Sequence, residues 1–441
     1  MWIVLLLFSL INAAANDRGW AFPLRLQFGP LYLNLFLLTL LVCLIVAMLP
    51  HRGEPTKCHR LLKPTLFWFA FGLVVGVVGT LFNDANMLLD KEIGGGVRDY
   101  LVFPLSIIVG YRLAINRLAI SRFPAIIVAA GVAVSIAVGF DFHDAVADLE
   151  PSAGINSVRS LAFLIDYAGL ACALLLFAYF ANVKFLPKWL TLLLAGVCLV
   201  GQAAPLHRAS WMACLAGIIA VYFVVPSETR WRAILRSLIA IPVLVSMIWL
   251  GLAVASMATG WNFYEKMQDR VLTLVPDQEE ASGPKAWDTR VEGIRVELAI
   301  FAEDPIFGKG FGIQEQRGYN YAQNGIHHNS WTDILAKCGL VGITPYILVM
   351  IGCMVIGARM VRQNVDRASV LMGALGAIFG PYYIMFGLCT WAFNGIRPAM
   401  CLGVFFGLLL RAREYQLAQL EYRGVPDQNL SAPTSPQFQP A

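Results

Sequence analysis

Gly325-Ile-His-His-Asn-Ser-Trp-Thr-Asp-Ile-Leu-Ala-Lys-Cys-Gly-Leu-Val-Gly342 is where a long polar segment gives way to a long apolar one. Ser330 with Asp333 three positions later has the form of a capping box, so a helix is expected to start here and run into a membrane. Backbone N–H groups at a helix start carry partial positive charge, which favours the uncharged form of a nearby imidazole. His327 and His328 stand just ahead of that start. A neutral histidine facing water at a membrane surface is a candidate general base. On spacing alone the commoner reading is a polar interfacial residue that ends a loop.

Composition makes the membrane reading general. Hydrophobic residues are 58% of the 441 and charged residues 14%, where a soluble chain carries about 25% charged. Apolar runs near the roughly 20 residues needed to span hydrocarbon recur along the chain. They lie near 2–14, 31–49, 63–82, 99–115, 124–140, 161–182, 188–204, 210–226, 233–256, 333–357, 367–392 and 396–411. The expected fold is therefore all-α, a polytopic membrane helix bundle of about twelve spans. The formal charge of +5 reflects Lys and Arg in short loops and is no nucleic-acid signal. The nine cysteines lie mostly in apolar runs, without CxxC or Cys/His spacing, and read as small packing residues.

The loop charges alternate. Arg52, Lys57, Arg60 and Lys63 share a side with Arg117 and Arg122, Lys184 and Lys188, and Arg230, Arg232 and Arg236. Arg359, Arg362, Arg367 and the tail residues Arg411, Arg413 and Arg423 complete that side, which the positive-inside rule makes cytoplasmic. The opposite loops hold Asp141, Asp144, Asp148 and Glu150, and the one long loop, about 257–332. Residues 1–256 thus read as spans one to nine, 257–332 as a periplasmic loop, 333–411 as spans ten to twelve, and 412–441 as a disordered cytoplasmic tail. Asn12-Ala-Ala-Ala15 resembles a cleavage site, but without a positive n-region the first segment reads as a retained span.

Within the loop, Trp261–Pro284 reads as irregular, and Asp288 to Asp304 as an amphipathic helix. Asp288 is its expected N-cap, Val291, Ile294, Leu298 and Phe301 its apolar stripe, and Pro305 its stop. Gly308-Lys-Gly-Phe-Gly312 follows; it lacks the Lys-Ser/Thr ending of a P-loop, so a turn is the stronger reading than a phosphate cradle. Arg290 opens the helix and Arg208 sits in the short loop His207-Arg-Ala-Ser210. Each alone reads as a surface or snorkelling arginine. Together with His328 they place two planar forks and an imidazole on one face, and a diphosphate has room for two such forks. Arg159 stands at the outer mouth of the sixth span, with the intramembrane acid Asp166 about two turns on.

From Arg290 to Gly342 the chain resembles the bacterial O-antigen ligase and O-antigen polymerase family. The resemblance rests on Arg290, Asp304-Pro305, Gly308-Lys-Gly-Phe-Gly312, His328-Asn329 and Gly339-Leu-Val-Gly342, with Arg208-Ala-Ser-Trp upstream. Ile294 departs from the tryptophan often found in relatives, and the doubled histidine leaves the share of His327 open. The resemblance implies a GT-C-like inner-membrane glycosyltransferase with a periplasmic site, needing no metal and no cofactor. Its donor would be a glycan on undecaprenyl diphosphate. Its acceptor would be lipid A-core in a ligase or a second lipid-linked glycan in an O-antigen or exopolysaccharide polymerase. It assigns catalysis to His328, Arg208 and Arg290; the expected substrate-binding positions are His327, Asn329 and Gly310 in its motifs and, from the residues themselves, Arg159 and Arg295. A non-catalytic transporter of lipid-linked sugars is the alternative from another class; alternating access predicts a midplane site in symmetric halves, which these one-sided polar residues do not match.

If the alternation is right, a cysteine at Ser282 should react with a membrane-impermeant thiol reagent in intact spheroplasts, above the background of the unsubstituted protein. Labelling that appears only after lysis refutes this orientation.

Overall fold

The structure, a computed structural model, describes residues 26–28, 31–33, 35–48, 60–83, 91–114, 117–147, 166–205, 207–260, 262–272, 286–311, 329–390 and 396–422. A two-stranded antiparallel hairpin comes first, β1 (Leu26–Phe28) on β2 (Leu31–Leu33). Helices follow in the order α1 (Leu35–Met48), α2 (Leu62–Asn83), α3 (Lys91–Leu113), α4 (Arg117–Ala147) and α5 (Asp166–Ala181). Next are α6 (Lys188–Ala203), α7 (Arg208–Val224), α8 (Ser227–Thr259), α9 (Phe263–Leu272) and α10 (Ala286–Glu303). The last are α11 (Ser330–Gln363), α12 (Arg367–Cys389) and α13 (Ile396–Tyr422). Among the described residues, five helices are long and apolar enough to cross a membrane: Leu62–Phe82, Arg117–Gly139, Ser227–Met257, Ser330–Gln363 and Arg367–Cys389. Shorter apolar helices accompany them at Thr39–Met48, Tyr100–Leu113, Asp166–Ala181, Lys188–Ala203 and Arg208–Val224. The expected span at 2–14 lies outside the described residues.

Four boundaries depart from expectation, each for a local reason. Leu31–Leu33 forms a strand where a span was expected to begin, because it pairs antiparallel with Leu26–Phe28; the Gly-Pro sequence between them has the composition of a turn. A helix, α9, occupies part of the segment read as irregular. Asn262 and Glu265 cap it reciprocally: the Glu265 N–H donates to Asn262 Oδ1 at 3.3 Å, and Asn262 Nδ2 to Glu265 Oε2 at 3.2 Å. The α10 helix starts at Ala286, so Asp288 is inside it and not its N-cap. The last helix runs on to Tyr422, past the expected end at 411. Its polar residues are docked: Arg411 is buried, donates to Glu414 Oε2 at 2.9 Å and sits 5.0 Å over the Tyr111 ring. Gln416 donates to Met360 O at 3.1 Å, and Arg413 to Gln363.

The loop charges sort end to end. At one end Arg117 pairs with Asp366 at 3.2 Å, and Arg112 donates to Ala47 O at 3.1 Å. There too Arg236 and Arg367 donate to Phe180 O at 2.7 Å and Phe185 O at 3.0 Å. Ala47 and Phe180 are in the last turns of their helices, where carbonyls have no intrahelical partner. The opposite end gathers the start of α7, the α10 helix and the start of α11.

One backbone break organises that opposite end. Gly339 has φ 62° and ψ −159°, so α11 is two helices joined by a non-helical residue. A break leaves carbonyls before it and N–H groups after it unpaired, and in an apolar setting each such group costs several kcal/mol. The segment after α10 supplies all four partners. Lys309 N–H donates to Ala336 O at 2.9 Å and Gly310 N–H to Lys337 O at 2.8 Å. In return Leu340 N–H donates to Pro305 O at 2.9 Å and Val341 N–H to Ile306 O at 3.2 Å. Gly310, at φ 93°, lies against α2, where an added Cβ would meet the Thr80 backbone. Thr80 Oγ1 accepts from Phe311 N–H at 2.8 Å and donates to Gly76 O at 2.8 Å. Phe311 is buried beside Tyr100, whose hydroxyl donates to Gly342 O at 3.2 Å.

Gly339→Ala should destabilise the protein by about 2 kcal/mol or more, from the left-handed backbone and a Cβ thrust at the Ile306 carbonyl. Thermal unfolding in detergent measures it, with Leu340→Ala, at a half-exposed neighbouring position, as control. Equal melting of the two variants contradicts the interlock.

Candidate functional site

The start of α11 is set by Asn329, one residue ahead of the expected cap. Asn329 Oδ1 accepts from Trp331 N–H at 2.9 Å and Thr332 N–H at 3.2 Å. Ser330 instead reaches across, its Oγ donating to Thr390 O at 2.9 Å, and Trp331 Nε1 donates to Ile384 O at 3.2 Å. The first turn of α11 is thereby fastened to the end of α12. Asn329 is buried and its side-chain oxygen is committed to the cap, so its position in the His-Asn pair is explained by helix initiation. Asp333 pairs with Lys337 at 2.9 Å. His327 and His328 lie outside the described residues, as does Arg159.

The start of α7 is fastened in a similar way. Gln202 Nε2 donates to Ser210 O at 2.7 Å, Trp211 Nε1 to Gln202 O at 3.0 Å, and Ser210 Oγ to His207 O at 2.7 Å. His207 is the N-cap residue and Arg208 the first helical one, half-buried. The His207 ring lies 6.5 Å from that of Phe386 on α12, the helix that also holds Trp331 and Ser330. The helix starts that carry Arg208 and Asn329 thus meet the same stretch of α12. Below them, buried Asp166 at the start of α5 accepts from the Tyr382 hydroxyl at 3.5 Å.

The α10 helix packs on the first turns of α11 through Gly293, Glu297 and Ile300, all buried. This is not the expected apolar stripe. Leu298 is exposed and Val291, Ile294 and Phe301 are only half-buried. Glu297 accepts a hydrogen bond from Thr332 Oγ1, and Ile300 packs on Ala336. An apolar stripe beside a bilayer has a favourable place outside the protein, so apolarity does not mark the packed face. Arg290 is on this helix, its side chain outside the described ones. Arg295 lies on the exposed side, 3.7 Å from Glu292. The Gly310 N–H is spent on Lys337 O, so the glycine turn works as a structural plug and not as an anion cradle. Among the described residues, no three of His, Cys, Asp and Glu gather as a metal-holding group. Sequence reasoning missed Glu297 and Thr80, because one acid on an amphipathic helix and one threonine in a span carry no spacing signal.

A comparison with curated proteins gives no match. Residues 190–347 match the family model described as O-Antigen ligase (Wzy_C). The matched stretch runs from α6 to the second half of α11, and so contains Arg208, all of α10, the plug and the break at Gly339. With its apolar helices, the chain is a multi-pass membrane protein, and the family this match supports for it is that of the O-antigen ligases and polymerases.

Proposed function

We propose that this protein transfers a glycan from undecaprenyl diphosphate to an acceptor hydroxyl at the periplasmic face of the inner membrane, in the manner of an O-antigen ligase acting on lipid A-core. The observation that carries the reading is the convergence of the starts of α7 and α11 on one stretch of α12, with α10 packed alongside. The residues flanking that convergence are Arg208, Arg290 and His328. The basic loops fill the other end of the bundle, which supports placing this end outside by the positive-inside rule. About twelve spans and a GT-C-like bundle are part of the same proposal.

The chemistry is a single displacement. The acceptor oxygen attacks the anomeric carbon, a new glycosidic C–O bond forms, and the C–O bond to the diphosphate breaks. His328 takes the proton from the acceptor hydroxyl. Arg208 and Arg290 hold the diphosphate and stabilise the negative charge that grows on it as it leaves. Asn329 caps the helix behind His328, and Gly310 shapes the plug beneath. Arg159 and Arg295, as further planar forks, and His327, beside His328 in sequence, are assigned to substrate binding. Two guanidinium groups meet the charge on the leaving diphosphate, so no metal is required by this scheme.

Purified variants tested on a labelled lipid-linked glycan check the assignment. His328→Ala should lower turnover by roughly two to four orders of magnitude, with donor binding little changed and the same rate with and without EDTA. Arg208→Lys and Arg290→Lys should lose turnover and bind donor more weakly, since lysine keeps the charge but not the two-pronged contact. His327→Ala should be milder; a larger loss there than in His328→Ala would reverse the two histidines. In a knockout strain, free lipid-linked polymer with bare core is the expected outcome. Core bearing a single repeat, or unaltered lipopolysaccharide with a lost secreted polymer, would assign polymerase activity instead.

A further inference from the structure

Glu297 is an acid buried to 4% exposure, on a helix whose Leu298 is exposed. It accepts a hydrogen bond from Thr332 Oγ1, and Thr332 is itself buried. Beside it Asp333 and Lys337, both largely buried, form an ion pair at 2.9 Å. One turn further along, Ile300 of α10 packs on Ala336 of α11. The pairs 297/332 and 300/336 advance together, so the two helices run alongside each other in the same direction. Traced backward, Arg290 is seven residues before Glu297, which puts it on the same helix face about 10.5 Å up the axis. His328 is four residues before Thr332.

We infer that Glu297 is a positioning residue: its bond to Thr332 fixes the register of α10 on α11 and so where the start of α10, which carries Arg290, stands against the start of α11 at Asn329. The inference rests on the site proposed above. A buried acid is a costly way to join two helices, and an apolar pair of similar volume would hold them at least as firmly. What a hydroxyl–carboxylate bond adds is direction. It selects one rotation and one axial offset, where a greasy contact tolerates sliding.

The purified full-length protein tests this through paired substitutions. Glu297→Ala and Thr332→Val should each lower kcat roughly 10- to 100-fold, the scale of an ångström-sized misplacement, with a smaller change in donor KM. The double variant should be no slower than the worse single, because both remove one bond. Glu297→Gln, which keeps an acceptor, and Thr332→Ser, which keeps the hydroxyl, should retain most of the turnover. They also keep the test open if Glu297→Ala fails to fold. Parental kcat in Glu297→Ala, losses that multiply in the double variant, or loss of kcat in Thr332→Ser equal to that in Thr332→Val would overturn the role. His328→Ala in the same assay separates the two claims. If it is inactive while Glu297→Ala is unimpaired, only the positioning role fails; if it is active, the proposed site itself fails.

Discussion

A helix cannot break inside an apolar environment unless something else completes its hydrogen bonds, and the break at Gly339 is completed by residues 305–310. Two carbonyls and two N–H groups are freed, and two N–H groups and two carbonyls arrive to meet them. The match is one for one, which leaves little freedom in how the segment enters. Where that segment lies fixes where α10 ends, and the packing of Ile300 on Ala336 follows from it. The helix bearing Arg290 and the helix that begins after His328 are thus joined at both ends of their contact: by the plug below, and by Glu297 with Thr332 above.

This arrangement changes what the glycine pattern means. Gly308-Lys-Gly-Phe-Gly312 has the composition of an anion cradle, yet its N–H groups at 309 and 310 already have carbonyl partners within α11. The left-handed backbone at Gly310 serves close approach to Thr80. In the proposed scheme the positive charge for a diphosphate therefore comes from side chains, Arg208 at the start of α7 and Arg290 near the start of α10.

Much of the helical bundle was legible because long apolar runs separated by basic loops leave few alternatives; among the described residues Arg112, Arg117, Arg236 and Arg367 dock at helix ends or loops of one end. Element boundaries were less legible where capping chemistry is shared between neighbours. Asn329 and Ser330 are both good caps, and the choice was made by Thr390, a tertiary partner that no local pattern reveals. Asn262 with Glu265 was a readable capping pair in a stretch whose Pro and Gly content suggested disorder of form. The packed face of α10 was misread because apolarity was taken to point inward, which holds in water but not at a bilayer surface. Glu297 was illegible for the same reason: its burial depends on Thr332, a partner 35 residues away.

The socket on α2 that receives the plug has a consequence for biogenesis. Thr80 meets Phe311 across 231 residues, and Tyr100 meets Gly342 across 242. At a synthesis rate of about 5–20 residues per second, α2 enters the bilayer on the order of ten to fifty seconds before its partner is made. Throughout that interval Gly76, Gly79 and Thr80 present a notch to lipid, with the Thr80 hydroxyl tied back to its own helix at Gly76 O. That internal bond lets the helix rest in hydrocarbon without an unmet polar group until the plug arrives. The threonine thus serves two successive environments, first as a self-contained membrane residue and then as the keeper of a long-range joint.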